Sequence, residues 1–262
     1  MRWWWLLALV LGLLQLWPQP DDRAAGHDEL RQQLATVAPA AVYDQRGDMV
    51  SADGDMLLDA AELARLTAGA DWPGSPVWRD GQGRDLVMAA RHASQQYYFA
   101  NSYLVGFAPW LDAPLWQPLQ VAALRKGYRL DEQLYGRPEV WQNSAEAFVS
   151  PWGDCEDHAL FVADWLIALG HDARVALGNH DGEGHAWVVV AIDGIDYLIE
   201  ATDKSRLRGA NPYPPAISQR SYQADYQFNR QQFWVRQHPG RSYDREGREW
   251  RLASRFLPQS SD

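Results

Sequence analysis

From Ala159 to Leu169 the chain is apolar at every position but Asp164, and the run stops at Gly170. A continuous apolar run of that length is too long for a typical buried strand and predicts a helix hidden on nearly all sides. Gly153 or Asp154 caps its start, and Gly170 ends it in the left-handed conformation. Only the first turn, Cys155-Glu156-Asp157-His158, breaks the pattern. Farther on, residues 185–192 read as an apolar strand, and Asp193-Gly194 is a strong two-residue hairpin signal. Residues 195–202 return as its partner. A two-residue turn sets Ile192 opposite Ile195, Trp187 opposite Glu200 and His185 opposite Thr202. His185 and Glu200 then become diagonal neighbours on one face, within side-chain reach. Asp196 shares that face but pairs with Ala191, about 20 Å from His185 along the strand. Asp203 falls on the opposite face.

Patterning elsewhere is weaker. Residues 28–46 read as helical with an interruption near Pro39, and 84–107 carry helical periodicity with aromatics. Gly and Pro punctuate 69–83 as a linker. Residues 108–140, rich in Pro and Trp, predict no defined element. Past residue 203 the chain is polar and irregular through Asn211-Pro212-Tyr213-Pro214-Pro215. Apolar stretches around Phe233-Trp234-Val235 and Trp250-Arg251-Leu252 read as strands closing the sheet.

At the amino terminus, Arg2 precedes an apolar block over residues 3–17 that ends at Pro18. The block is shorter than the roughly 20 residues of a membrane span and fits a secretory signal core. Ala24-Ala25-Gly26 offers a cleavage site, and a retained signal anchor through residues 3–17 is the alternative. Either form sends residues from about 27 onward to the periplasm or another extracytoplasmic space, secreted or anchored to the cytoplasmic membrane. The expected division is 1–26 signal segment, 27–70 helical segment and 71–262 catalytic domain.

Composition narrows the function. A chain of 262 residues with 47% apolar content and 14 tryptophans can bury a large core. Its net charge of −10 argues against nucleic acid as a partner. Its single cysteine cannot form an intrachain disulfide. A thiol at a helix start, a histidine on a strand and a carboxylate on the next strand are the parts of a nucleophile with its base and orienter: Cys155, His185 and Glu200. The helix dipole favours a thiolate. Asp154, Glu156 and Asp157 oppose it, so a cationic histidine has to win.

A second candidate site starts at Ser51. The string SADGDMLLDAAE lays Asp53, Asp55, Asp59 and Glu62 on the ligand positions of a calcium-binding EF-hand loop, with Leu57 offering its carbonyl. Ser51 stands where aspartate leads and Met56 where glycine turns the loop. The Asp59–Glu62 spacing also fits a helix cap before an apolar run.

The blocks GDCEDHAL, GHAWVVV and YLIEAT, within residues 141–203, resemble the transglutaminase-like superfamily, in particular its bacterial transglutaminase-like cysteine proteinase branch. The resemblance implies an α+β, papain-like core in which a buried cysteine-bearing helix packs on an antiparallel sheet. It implies Cys155 as nucleophile, His185 as base and Glu200 as third member, where the family usually has aspartate. The substrate would be a protein or peptide, attacked at an amide bond by proteolysis, deamidation or transglutamination. No cofactor is required for that chemistry, and calcium is the ion the Ser51 string would take. The second oxyanion donor is open: Val149 and Ser150 occupy the stretch where a papain-type glutamine would lie, and Gln142 stands farther upstream. Two other readings stay open. One is a catalytically silent module binding a peptide or cell-wall partner through its aromatics. The other is a zinc site on Cys155, His158, His180 and His185.

Overall fold

The computed structural model describes residues 43–203, 213–238 and 243–259. In chain order the strands are β1 (Gly47–Ser51), β2 (Met56–Leu58), β3 (Val77–Arg79), β4 (Asp85–Arg91), β5 (Tyr97–Phe99), β6 (Gly127–Tyr128), β7 (Trp152–Gly153), β8 (Asp172–His180), β9 (Glu183–Ile192), β10 (Ile195–Ile199), β11 (Tyr222–Phe228), β12 (Gln232–Arg236) and β13 (Trp250–Pro258). The α-helices are α1 (Ala60–Thr67), α2 (Gln117–Arg125), α3 (Asp131–Tyr135), α4 (Ser144–Val149) and α5 (Cys155–Ala168). The result is a mixed α/β protein with a large sheet and few helices.

The sheet has eight strands in the order β10-β9-β8-β11-β12-β13-β1-β2, with every pairing antiparallel. Its centre is covered on both faces. Trp187 and Val189 of β9 pack with Ala176, Leu198, Tyr222 and Tyr243, and the alternate residues Ala186, Val188 and Val190 are buried as well. Double burial explains why β9 reads as a continuous apolar run rather than an alternating one. Helix α5 lies against β8 and β9, with α2 and α4 packed on it. It starts after Asp154 and is followed by Gly170 at φ +88°, as the pattern requires. Asp164, the one polar residue in its apolar run, is fully buried. It accepts hydrogen bonds from the amides of Gly106 and Phe107 and pairs with Arg230 at 2.6 Å.

Several elements differ from the sequence reading. The stretch read as a helix over 84–107 is β4, β5 and a short 3-10 turn at Ala100–Tyr103. The residues from Val87 to Arg91 are all buried, so they have no exposed helical face; pairing with β3 and β5 decides the outcome. β3 itself lies inside the expected linker. Residues 108–140 hold α2, β6 and α3. β8 and β11 add two inner strands beyond those expected, while β12 and β13 join the sheet as read.

Of the helix expected over 28–46, residues 28–42 lie outside the described residues, and 43–46 carry no helix. The signal segment at 1–26 lies outside them too. Among the described residues no helix is long and apolar enough to cross a membrane. The boundary expected near residue 70 cuts through the sheet, because β1 pairs with β13 and β2 with β1.

Candidate active site

The nucleophile candidate sits where two short strands meet a long helix. β6 and β7 form a parallel bridge, Gly127 to Trp152 and Tyr128 to Gly153, that ends directly before Asp154. A Cβ on Gly153 would strike the Asp157 carboxylate and the Lys126 side chain, so only glycine lets the chain pass. Asp154 is the N-cap in an extended conformation, but its side chain makes no capping bond. Cys155 follows as the first helical residue, half-buried and free, with Sγ 3.4 Å from Glu156 Oε2. The first-turn amides of α5 have no intrahelical acceptor.

The base candidate arrives on the hairpin. Asp193 and Gly194 both have positive φ, +50° and +78°, as a tight primed turn requires. Ile195 pairs with Ile192 and Ile199 with Val188, which is the expected register. β9 starts two residues earlier than expected, at Glu183, and β10 stops at Ile199, so Glu200 lies just past the strand end. It still meets His185: Nε2 lies 2.8 Å from Glu200 Oε2. Cys155 is the second group acting on the imidazole, and it raises the ring's proton affinity. Glu200 is 5% exposed and its acceptors are filled. Oε2 takes a further bond from the Tyr222 hydroxyl at 2.9 Å, while Oε1 takes the Thr202 amide at 3.0 Å and hydroxyl at 2.6 Å.

These contacts set the charge states. Burial pulls the His185 imidazole down, but hydrogen bonds to Cys155 and Glu200, and their negative charge, hold it up at about 10. Burial pushes the Glu200 carboxyl up, yet the His185 bond and charge, with the Thr202 hydroxyl and amide, bring it down to about 2. The pair is an imidazolium against a carboxylate. Asp196 is spent elsewhere, on the amide and guanidinium of Arg245.

The acids flanking the thiol are buried. Ligand oxygens of Asp131, Asp154 and Glu156 lie within 4.8 Å of one another. Asp131 Oδ1, Asp154 Oδ1 and Glu156 Oε1 have no hydrogen-bond donor there. Burial and repulsion from neighbouring acids raise the carboxyls of Asp131 and Glu156, and burial raises Asp154 against its hydrogen bonds and the Lys126 charge. Burial raises Asp157 too, though the Lys126 charge works against it. Lys126 is buried beside them, its Nζ donating to Gln142 Oε1 and to the carbonyls of Ala147 and Trp152. Gln142 spends its amide on the Tyr135 hydroxyl and the Trp152 carbonyl, so it is a structural residue and does not serve the thiol.

Two expectations need correction. The string from Ser51 is a β-hairpin followed by a capped helix. Asp59 accepts from the Glu62 amide at 2.7 Å as the N-cap of α1, and Ser51 Oγ ties the Asp53 and Asp55 amides into the turn. Asp53, Asp55, Leu57, Asp59 and Glu62 therefore build a turn and a cap, and their carboxylates do not gather: among the described residues, the carboxylate group that does is Asp131, Asp154 and Glu156. The zinc quartet fails for a similar reason. His158 is fully buried with Nδ1 2.6 Å from the Asp154 carbonyl, and the histidines that come together with a carboxylate are His180 and His185, with Glu200.

Thr202, Tyr222 and Tyr128 are parts of the thiol site that the sequence reading does not single out. Thr202 was visible as the near neighbour of Glu200. Tyr222 reaches the site only through the pairing of β8 with β11, which also sets it beside His180. Tyr128, half-exposed on β6, stacks near His158 at 6.2 Å between ring centres.

Residues 139–245 match the model of the CEP76 peptidase-like domain family. This segment contains Cys155, His185 and Glu200. The match covers less than half of the chain and likens this segment to a peptidase-like domain. Solved structures of Legionella pneumophila LapG are similar at 18% identity. Its EGTA-treated form covers 50% of this chain and 72% of that chain with a TM-score of 0.39. Its calcium-bound form covers 50% and 74% with a TM-score of 0.38. Comparison with curated protein sequences gives no match.

Proposed function

We propose that this protein is a cysteine peptidase or acyltransferase acting on protein amide bonds through Cys155, His185 and Glu200. The observation that carries the reading is the His185 imidazole held 2.8 Å from the buried Glu200 carboxylate, with Cys155 close enough to raise the ring's proton affinity. In this scheme the thiolate attacks the amide carbonyl, and the oxyanion meets the free amides at the start of α5. His185 passes a proton from Nδ1 to the leaving amine, which departs as the C–N bond breaks and leaves a thioester. Water, deprotonated by His185, then releases the acid; an amine in its place gives transamidation. Glu200 fixes the ring and stabilises the imidazolium, with Thr202 and Tyr222 fixing Glu200.

Catalysis needs no cofactor in this scheme. Calcium is the ion we assign to the acidic group instead of the Ser51 string. Asp131, Asp154 and Glu156 are hard oxygen donors, each with a buried oxygen lacking a donor. A bound cation would neutralise them and tie α3 to the start of α5. We further propose that residues 3–17 carry the chain across the cytoplasmic membrane, secreted or anchored, so that its protein substrate is extracytoplasmic.

A peptide-library assay with and without an added primary amine tests the function. Amide cleavage or amine incorporation is expected from the wild type and none from Cys155→Ala. Equal activity in the folded variant would sink the cysteine mechanism.

A further inference from the structure

We propose that His180, His185 and Glu200 form a binding site for a borderline transition-metal dication, Zn2+ in particular, and that its occupation switches the thiol site off. The cation site rests on geometry alone. Only the switching-off rests on the catalytic reading of Cys155 and His185.

One ligand atom from each of the three residues lies within 4.8 Å of the others. Zinc–ligand bonds near 2.1 Å put tetrahedral ligand atoms about 3.4 Å apart, so small side-chain rotations close the site. His185 Nε2 and Glu200 Oε2, now 2.8 Å apart, would open by about half an ångström to admit the ion. His180 is the last residue of β8. Its ring stacks on Tyr222 at 3.9 Å and 15°, with its centre 5.5 Å from that of His185. The His180 side chain is 31% exposed, which gives a cation a way in from solvent.

The catalytic scheme has no task for His180, because Glu200 already accepts four hydrogen bonds without it. Two imidazoles and one carboxylate are instead a zinc donor set with the fourth position left for water. Nitrogen donors also set this site apart from the all-oxygen group at Asp131, Asp154 and Glu156, which suits a hard cation. Tyr222 supports two ligands at once, its ring beneath His180 and its hydroxyl on Glu200 Oε2.

Coordination at Nε2 uses that nitrogen's lone pair, and the proton it carried leaves to solvent. The one ring proton left is on Nδ1. His185 could surrender it only by becoming an imidazolate. The residue therefore neither protonates a leaving amine nor accepts a proton from water.

The test uses the full chain without an affinity tag, in excess Ca2+ to occupy the carboxylate group. Co2+ is titrated into Cys155→Ala protein by its visible d–d bands and then displaced with Zn2+. One Co2+ per chain is expected, and His180→Ala should weaken both metals at least tenfold. His180→Phe, which keeps the stack on Tyr222, should do the same if the alanine variant folds poorly. In the intact enzyme, His180→Ala should leave basal turnover unchanged and raise the half-inhibitory Zn2+ concentration at least tenfold. Metal affinity independent of His180, or lost with Cys155, would overturn the site. Binding that depends on His180 without inhibition would overturn the switch. Absence of turnover in every form would count against the catalytic reading alone, and the Co2+ titration would still decide the site.

Discussion

Glu200→Gln is the most informative single change, because it keeps the side chain's shape and removes its charge. Glu200 falls from 4.5 to about 2 in the folded protein, which corresponds to roughly 3 kcal/mol of differential interaction. Its neighbours offer a glutamine no easy alternative. Every group facing it donates: His185 Nε2 and the Tyr222 hydroxyl on one oxygen, the Thr202 amide and hydroxyl on the other. With its oxygen on the Thr202 amide, the glutamine turns its NH2 to the Tyr222 hydroxyl and to His185 Nε2, which accepts only as a neutral imidazole, so the imidazolium loses its partner. We expect Glu200→Gln to lower unfolding free energy by roughly 3 kcal/mol near pH 6, and turnover at least about a hundredfold.

The pH profile separates this from a generic packing loss. Glu200 is depressed, so its contribution is present above about pH 4.5 and lost as pH falls toward about 2. His185 is raised, so its contribution is complete below pH 6.5 and lost as pH rises through about 10. The gap between wild type and Glu200→Gln should be widest near pH 5–6 and narrow in both directions. Urea unfolding at pH 3, 5.5 and 9, alongside steady-state turnover, measures both effects. A gap independent of pH, or turnover within threefold of wild type, would refute the ion-pair reasoning. Asp196→Asn is the control and should leave turnover unchanged, since Asp196 serves Arg245.

Tyr222→Phe removes one donor from Glu200 Oε2 and should reduce turnover by about three- to tenfold, in line with the net worth of one hydrogen bond; unchanged kinetics would show that Thr202 alone fixes the carboxylate. Gly153→Ala drives a methyl into the Lys126 and Asp157 side chains and should cost about 1–3 kcal/mol of stability in urea unfolding. Millimolar Ca2+ should raise the melting midpoint relative to EGTA, with about 2.7 kcal/mol of stabilisation at a hundredfold excess over Kd. Glu156→Gln should blunt that response, while Asp53→Asn should not; the reverse result would restore the Ser51 string as the calcium loop.

The site was legible where its parts are local. The Asp193-Gly194 turn fixes the register by itself, and the register brings Glu200 to His185. The long apolar run could only be α5. Parts joined through distant pairings were not legible. Tyr222 is 22 residues from Glu200 and is delivered by β11, whose Tyr-Gln-Ala-Asp-Tyr-Gln string carries too few apolar residues to announce an inner strand. Asp131 meets Asp154 because β6 and β7 bridge just ahead of α5, and no spacing rule encodes that bridge. The Ser51 string misled for a physical reason. Acidic residues at alternate positions suit a calcium loop, and the same residues suit a polar hairpin turn leading into an Asp-capped helix. β4 misled because a strand buried over five consecutive residues has no polar face to reveal its period.

Burial changes the role of the acids around the thiol. As solvated carboxylates, Asp154, Glu156 and Asp157 would repel a neighbouring thiolate. Enclosed beside one lysine, their carboxyls are pushed up, so their negative charge is disfavoured there. Burial thus weakens the opposition that the local sequence GDCED suggests. The α5 dipole and the imidazolium of His185 are then the nearest fields acting on Cys155. Of the two, only His185 is held in place by a separate buried carboxylate, and Glu200 reaches it from the far side of the ring. The charge that would generate the nucleophile and the charge that would threaten it are thus delivered by different elements. The hairpin carries the first and the start of α5 carries the second, so substitutions in one should change thiol reactivity without altering the other's cation dependence.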